Sequence, residues 1–172
     1  MREKLLYMLK NSCKKIYKDD KYLIDKGVCE RAIVFRFGVY LQRLISRDSE
    51  LKFYDLDNEY NRNQEGVKRT RRFKNGTYPD LIIHKRGENS NNIMVVEFKT
   101  VWNSDTSKDE KKLKDFINKN GEYKYKYGVS IIFEENKAVI KMLYWYKEKC
   151  IKKDIYNVRF KSALKHEKTG TF

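Results

Sequence analysis

Proline is nearly absent: Pro79 is the only one in 172 residues. A residue without an N–H tolerates strand starts and edges better than strand interiors, so Pro79 marks a boundary immediately before Asp80. Cysteine is scarce as well. Cys13, Cys29 and Cys150 are odd in number and far apart, which argues against a disulfide framework or a thiolate metal centre and for reduced thiols in a cytoplasmic protein. There are two histidines, His84 and His166. Long apolar runs are missing too. The opening MREKLLYMLKNSCKK carries a charge every few residues, so neither a signal peptide nor a membrane span is expected. Acid is the minority charge, with 24 Asp and Glu against 39 Lys and Arg, a net charge of +15. That surplus points to an acidic polymer as partner, nucleic acid before an anionic membrane.

Hydrophobic residues make up 40% of the chain and aromatics 14%, so a disordered chain is excluded and one domain with a substantial core is expected over 1–172. Leu5, Leu6, Leu9 and Ile16 predict an amphipathic N-terminal helix over about 2–18. A second helix runs from about Glu30 to Ser46, with Ile33, Phe37, Tyr40, Leu41 and Leu44 as its apolar stripe. Strands are expected over 51–60, 78–85, 93–101, 126–133 and 138–146. The second and third form a hairpin around Gly87, Asn89, Asn91 and Asn92. Ser107 and Glu110 have capping-box spacing ahead of a helix that presents Leu113, Phe116 and Ile117 and stops near Asn120-Gly121. A basic tail of undefined structure fills 157–172. The expectation is an α/β fold with a mixed sheet of about five strands flanked by helices.

Glu-x-Lys occurs five times, at Glu50, Glu97, Glu110, Glu122 and Glu135. Only the copy at Glu97 lies in a fully apolar strand, among Ile93, Met94, Val95, Val96, Phe98 and Val101. Alternation puts Glu97 and Lys99 on one face, and charges there are costly unless compensated. The hairpin brings Asp80 toward Glu97. Two carboxylates about 5 Å apart repel by roughly 3 kcal/mol at an effective dielectric near 20, which a divalent cation reverses. Hard oxygen ligands favour Mg²⁺ or Mn²⁺. The competing reading is an ion pair of Lys99 with Glu97 or Asp80 that only holds the hairpin.

Pro79-Asp80 and Glu97-Phe98-Lys99, with the helix of Glu30 before them and a crossover helix after, resemble the PD-(D/E)xK nuclease superfamily over roughly residues 28–147. The segment Asp80-Leu-Ile-Ile-His-Lys-Arg-Gly also resembles a group of small uncharacterised bacterial members. The resemblance implies a restriction-endonuclease-like core of αβββαβ order with an extra N-terminal helix. It also implies Asp80 and Glu97 as metal ligands, the Phe98 carbonyl completing the shell, and Lys99 acting on the attacking water and the phosphate. Beside the cation, Lys99 should have a depressed pKa. Glu30 is either a further acidic ligand or an ordinary acid at a helix N-terminus.

Lys68, Arg69, Arg71, Arg72 and Lys74 precede the Asp80 strand and are expected to contact phosphate, against a merely solvated loop. Tyr125 and Lys126, in a run of alternating tyrosine and lysine, are candidates for stacking and phosphate contact, against a packed strand edge. His84 reads as structural and His166 as solvated. The expected function is a Mg²⁺-dependent nuclease, on DNA before RNA, with a homodimer compatible with cutting two strands. The alternatives are an inactive nucleic-acid-binding module or assembly subunit of the same fold, and an RNA nuclease.

Overall fold

The structure, a computed structural model, describes residues 1–160 apart from Gln64, Ser104, Asp105, Glu148, Lys149 and the side chain of Asn103. His166 and most of the basic tail therefore lie outside the described residues. The architecture is α/β, with a mixed six-stranded sheet between helices.

Helix α1 (Arg2–Asp19) buries Leu5, Leu9, Cys13 and Ile16, an i, i+4, i+8, i+11 stripe. A short helix, α2 (Lys21–Asp25), follows. Helix α3 (Glu30–Ile45) buries Ile33, Val34, Phe37, Tyr40, Leu41 and Ile45. The expected first strand is a 3-10 turn at Leu51–Phe53 followed by only four paired residues, β1 (Asp55–Asn58). A small ribbon, β2 (Arg62–Asn63) and β3 (Gly66–Val67), stands apart from the main sheet.

Strands β4 (Leu81–His84) and β5 (Met94–Thr100) form the expected antiparallel hairpin, paired Leu81 to Val96. Helix α4 (Ser107–Phe116) then crosses over, so that β6 (Tyr127–Phe133) runs parallel to β5. Strands β7 (Lys137–Tyr146) and β8 (Cys150–Arg159) extend the sheet antiparallel. The order is β1-β4-β5-β6-β7-β8. The sixth strand corrects the expectation of five. It takes in residues assigned to the tail, and its lysines and alternating exposure suit a charged edge.

Alternation divides the core. Leu81, Ile83, Met94, Val96, Phe98, Val129 and Ile131 face α1 and α3. Ile82 and Val95 face α4 with its Leu113 and Phe116. A β5 covered on both faces explains its continuous apolar sequence. Helix α4 packs closely on β6, because a Cβ on Gly128 would lie 3.2 Å from Ile117 Cγ2 and 3.3 Å from Leu113 Cβ. Among the described residues, no helix is long and apolar enough to cross a membrane.

Candidate functional site

One step beyond the last rung of the β4–β5 ladder, the register puts Asp80 opposite Glu97. Asp80 Oδ2 accepts the Phe98 N–H at 2.7 Å, which pins the carboxylate to the end of β5. In an extended strand the N–H and C=O of one residue point the same way, so the Phe98 carbonyl also faces the Asp80 side. Glu97 and Lys99 project with Val95 toward α4, into a cleft of about 490 Å³. Asp80, Glu97, Lys99 and Asp109 line it, with Lys108 and Lys112.

The side chain of Glu97 is only 3% exposed. Its Oε2 accepts from Lys112 Nζ at 2.8 Å, and the same ammonium donates to the Tyr78 carbonyl at 2.7 Å. Its Oε1 is buried with no hydrogen-bond donor. Burial first, and the neighbouring Asp80 second, push the Glu97 carboxyl up to about 8. Burial also raises Asp80, opposed by the Phe98 N–H. Lys99 Nζ lies 3.2 Å from Asp109 Oδ2 and 3.5 Å from Glu30 Oε1. The Asp109 contact is an ion pair whose geometry falls short of a hydrogen bond. Burial of Lys99 favours its neutral form, but Asp109 and Glu30 outweigh it and hold the ammonium above the usual lysine range. The depressed pKa expected for a lysine beside a cation is therefore not the direction that these carboxylates impose. Glu30 is itself raised by burial, opposed by Lys99, and its Oε2 has no donor.

Asp80, Glu97, Lys99 and Glu30, all named from sequence, are thus brought together at one end of β5. Asp109 and Lys112 were missed. Both come from α4, whose start is one residue earlier than the capping box placed it: Thr106 is the N-cap and Asp109, not Glu110, is the third helical residue. The signal was present. Asp109 lies four residues before Leu113 and seven before Phe116, so a carboxylate continues the apolar stripe.

The basic loop is only partly available. Lys68 is 2% exposed, donates to the Arg62 carbonyl at 2.9 Å and lies against the rings of Tyr60 and Tyr123, 5.0 and 5.1 Å from their centroids. Phosphate contact by Lys68 is therefore corrected: burial keeps it inside and lowers its pKa to about 8. Arg72 pairs with Asp115. Arg69, Arg71 and Lys74 are exposed, and Phe73, Gly76 and Tyr78 of the same loop line the cleft. Tyr125 is 1% exposed, which removes it as a stacking platform, whereas Lys126 is exposed. His84 is buried, with Nε2 2.9 Å from Asp57 Oδ2 and its ring against Tyr60.

Among the described residues no three carboxylate, imidazole or thiolate groups converge closely enough to hold a metal ion as they stand. The ammonium groups of Lys99 and Lys112 lie against those carboxylates instead. The donor chemistry nevertheless fits a hard divalent cation, because three buried carboxylate oxygens, Glu97 Oε1, Glu30 Oε2 and Asp109 Oδ2, accept no hydrogen bond. Comparison with protein-family models, curated proteins and solved structures finds no match.

Proposed function

We propose that this chain is a metal-dependent nuclease with a restriction-endonuclease-like core, hydrolysing phosphodiester bonds in nucleic acid, DNA ahead of RNA. The observation that carries the reading is the meeting of Asp80 and Glu97 across adjacent strands, with Lys99 on the same face, in one cleft. Four buried or half-buried carboxylates, Glu30, Asp80, Glu97 and Asp109, against two lysines make a poor structural ion-pair cluster. They include carboxyls raised by burial and oxygens without donors, an arrangement that costs stability and suits a site.

Asp80 and Glu97 are the groups that would hold Mg²⁺ or Mn²⁺, with the Phe98 carbonyl and Glu30 as further donors. Such an ion, when bound, supplies a water of lowered pKa and neutralises the carboxylates. Lys99, kept protonated by Asp109 and Glu30, is suited to balance the charge that builds on the phosphate. Lys108 lines the cleft, and Arg71 and Lys74 lie on the loop at its rim, where they hold flanking phosphates. The reading of a binding module without turnover draws on one observation, the Lys112 ammonium on Glu97.

The test is the purified protein with Mg²⁺ or Mn²⁺ on supercoiled, linear, single-stranded and branched DNA and on RNA. The nuclease reading expects cleavage that EDTA abolishes, strongest on a DNA substrate. Binding to these substrates with no cleavage of any of them would favour the module.

A further inference from the structure

A second basic concavity lies far from the carboxylate cleft. It is a groove of about 400 Å³ between α1 and α3. These two helices cover the sheet face opposite α4, so groove and cleft open on different sides of the sheet. Along α3, Arg43 is thirteen residues from Glu30, roughly 20 Å at the helical rise.

Five of the ten lining residues are lysine or arginine and none is acidic. Lys15 is engaged by Asp19 at 2.7 Å, and the nearby Asp20 by Arg36 at 2.9 Å. Lys14, Lys18, Arg43 and Arg47 have no ion-pair partner among the described residues. Lys14 and Lys18 are one turn apart on α1, about 6 Å, and Arg43 and Arg47 have the same sequence spacing across the groove. Cations lining one groove that has no acidic residue in its lining repel, and a polyanion laid between them removes the repulsion.

The floor supplies an independent observation. Ser12 lines the groove, is 0% exposed, and its Oγ has no hydrogen-bond partner. A buried hydroxyl without a partner is rare, and this one belongs to a residue that lines the groove. Tyr7, 64% exposed, stands at the rim. The Tyr40 ring lies beneath the cations, with Lys15 Nζ 5.8 Å and Arg43 6.0 Å from its centroid. Cations spaced four residues apart on either side of the groove, beside an exposed aromatic, match a nucleic-acid strand, whose phosphates repeat and whose bases stack. A lipid surface is flat and meets a convex or planar basic face more readily than a groove.

We infer that the groove between α1 and α3 is a second nucleic-acid site, in which Lys14, Lys18, Arg43 and Arg47 hold the backbone of a single strand and Tyr7 stacks on a base. The site is separate from the cleft chemistry and does not rest on it.

The test is fluorescence anisotropy of a short labelled single-stranded DNA in EDTA, across a salt series. Combined Lys14→Ala, Lys18→Ala, Arg43→Ala and Arg47→Ala should weaken binding by about tenfold or more and flatten the plot of log affinity against log salt by about 3. Tyr7→Ala alone should weaken it by about tenfold. A control with the same charge change elsewhere, Lys85→Ala, Lys114→Ala, Lys137→Ala and Lys152→Ala, should lose less than the groove variant. Wild-type affinity and slope in the groove variant would overturn the inference, as would an equal loss in the control. Phosphatidylserine vesicles that bind wild type but not the groove variant, with DNA binding unchanged between them, would overturn the assignment to nucleic acid. None of these results bears on metal-dependent cleavage, so the two readings fail separately.

Discussion

Glu97 and Lys112 illustrate how single residues carry the electrostatics of the cleft. Lys112 donates to the one Glu97 oxygen that has a partner. Removing Lys112 in Lys112→Ala pushes the carboxyl, already raised to about 8, further toward its protonated form, so the expected loss is that of a buried hydrogen bond, about 1–3 kcal/mol in urea unfolding without metal. Mn²⁺ should then stabilise the variant at least as much as the wild type, because no ammonium competes for Glu97. Lys68 gives the pH prediction. Its pKa is about 8 when folded against an ordinary lysine value of 10.5, so below about pH 8 both states hold the proton and folding bears the full cost of burying it. Between those values only the unfolded chain stays protonated, and stability rises with pH by roughly 2–3 kcal/mol. Urea titrations of wild type and Lys68→Met between pH 7 and 10.5 should converge or cross as pH rises. Parallel curves would contradict the buried cation. Asp80, Glu97 and Lys99 were legible because charge in an apolar strand is rare. The burial of Lys68 and Tyr125 was not, because nothing local to a basic loop says that Tyr60 and Tyr123 will enclose it.

At the scale of elements, the cleft is made by α4 lying close on β6. Gly128 permits that approach, and α4 supplies Asp109 and Lys112. Gly128→Ala must push Ile117 and Leu113 outward by a few tenths of an ångström. The expected cost is about 1–2 kcal/mol in chemical denaturation, with activity falling further than stability because Asp109 and Lys112 move with the helix. The long, strongly patterned elements α1, α3, β5 and β6 were read from sequence to within two residues at each end, since their apolar periodicity is strict. Strand β8 was not, because an edge strand buries little: Val158 is its only fully buried residue. The first strand came out too long because Leu51, a core residue, belongs to a 3-10 turn and not to the sheet.

Over the whole molecule, which carries a net charge of +15, exposed cations stand at the carboxylate cleft on one side of the sheet and line the α1–α3 groove on the other. Net charge raised the expectation of a polyanion partner without pointing to the α1–α3 groove, because long-range pairing of α1 with α3 creates the groove and no local pattern encodes it. The fold brings Asp80 and Glu97 together at a strand end and sets Lys99 on the same face, the placement on which the proposed nuclease chemistry rests. The most direct measurement is nicking of supercoiled DNA in Mn²⁺ by wild type and Lys99→Ala, with folding of both verified by circular dichroism. The account predicts nicking by wild type that EDTA abolishes, and a rate at least about a hundredfold lower in Lys99→Ala. Equal nicking by the two proteins, or wild-type nicking that persists in EDTA, would contradict it.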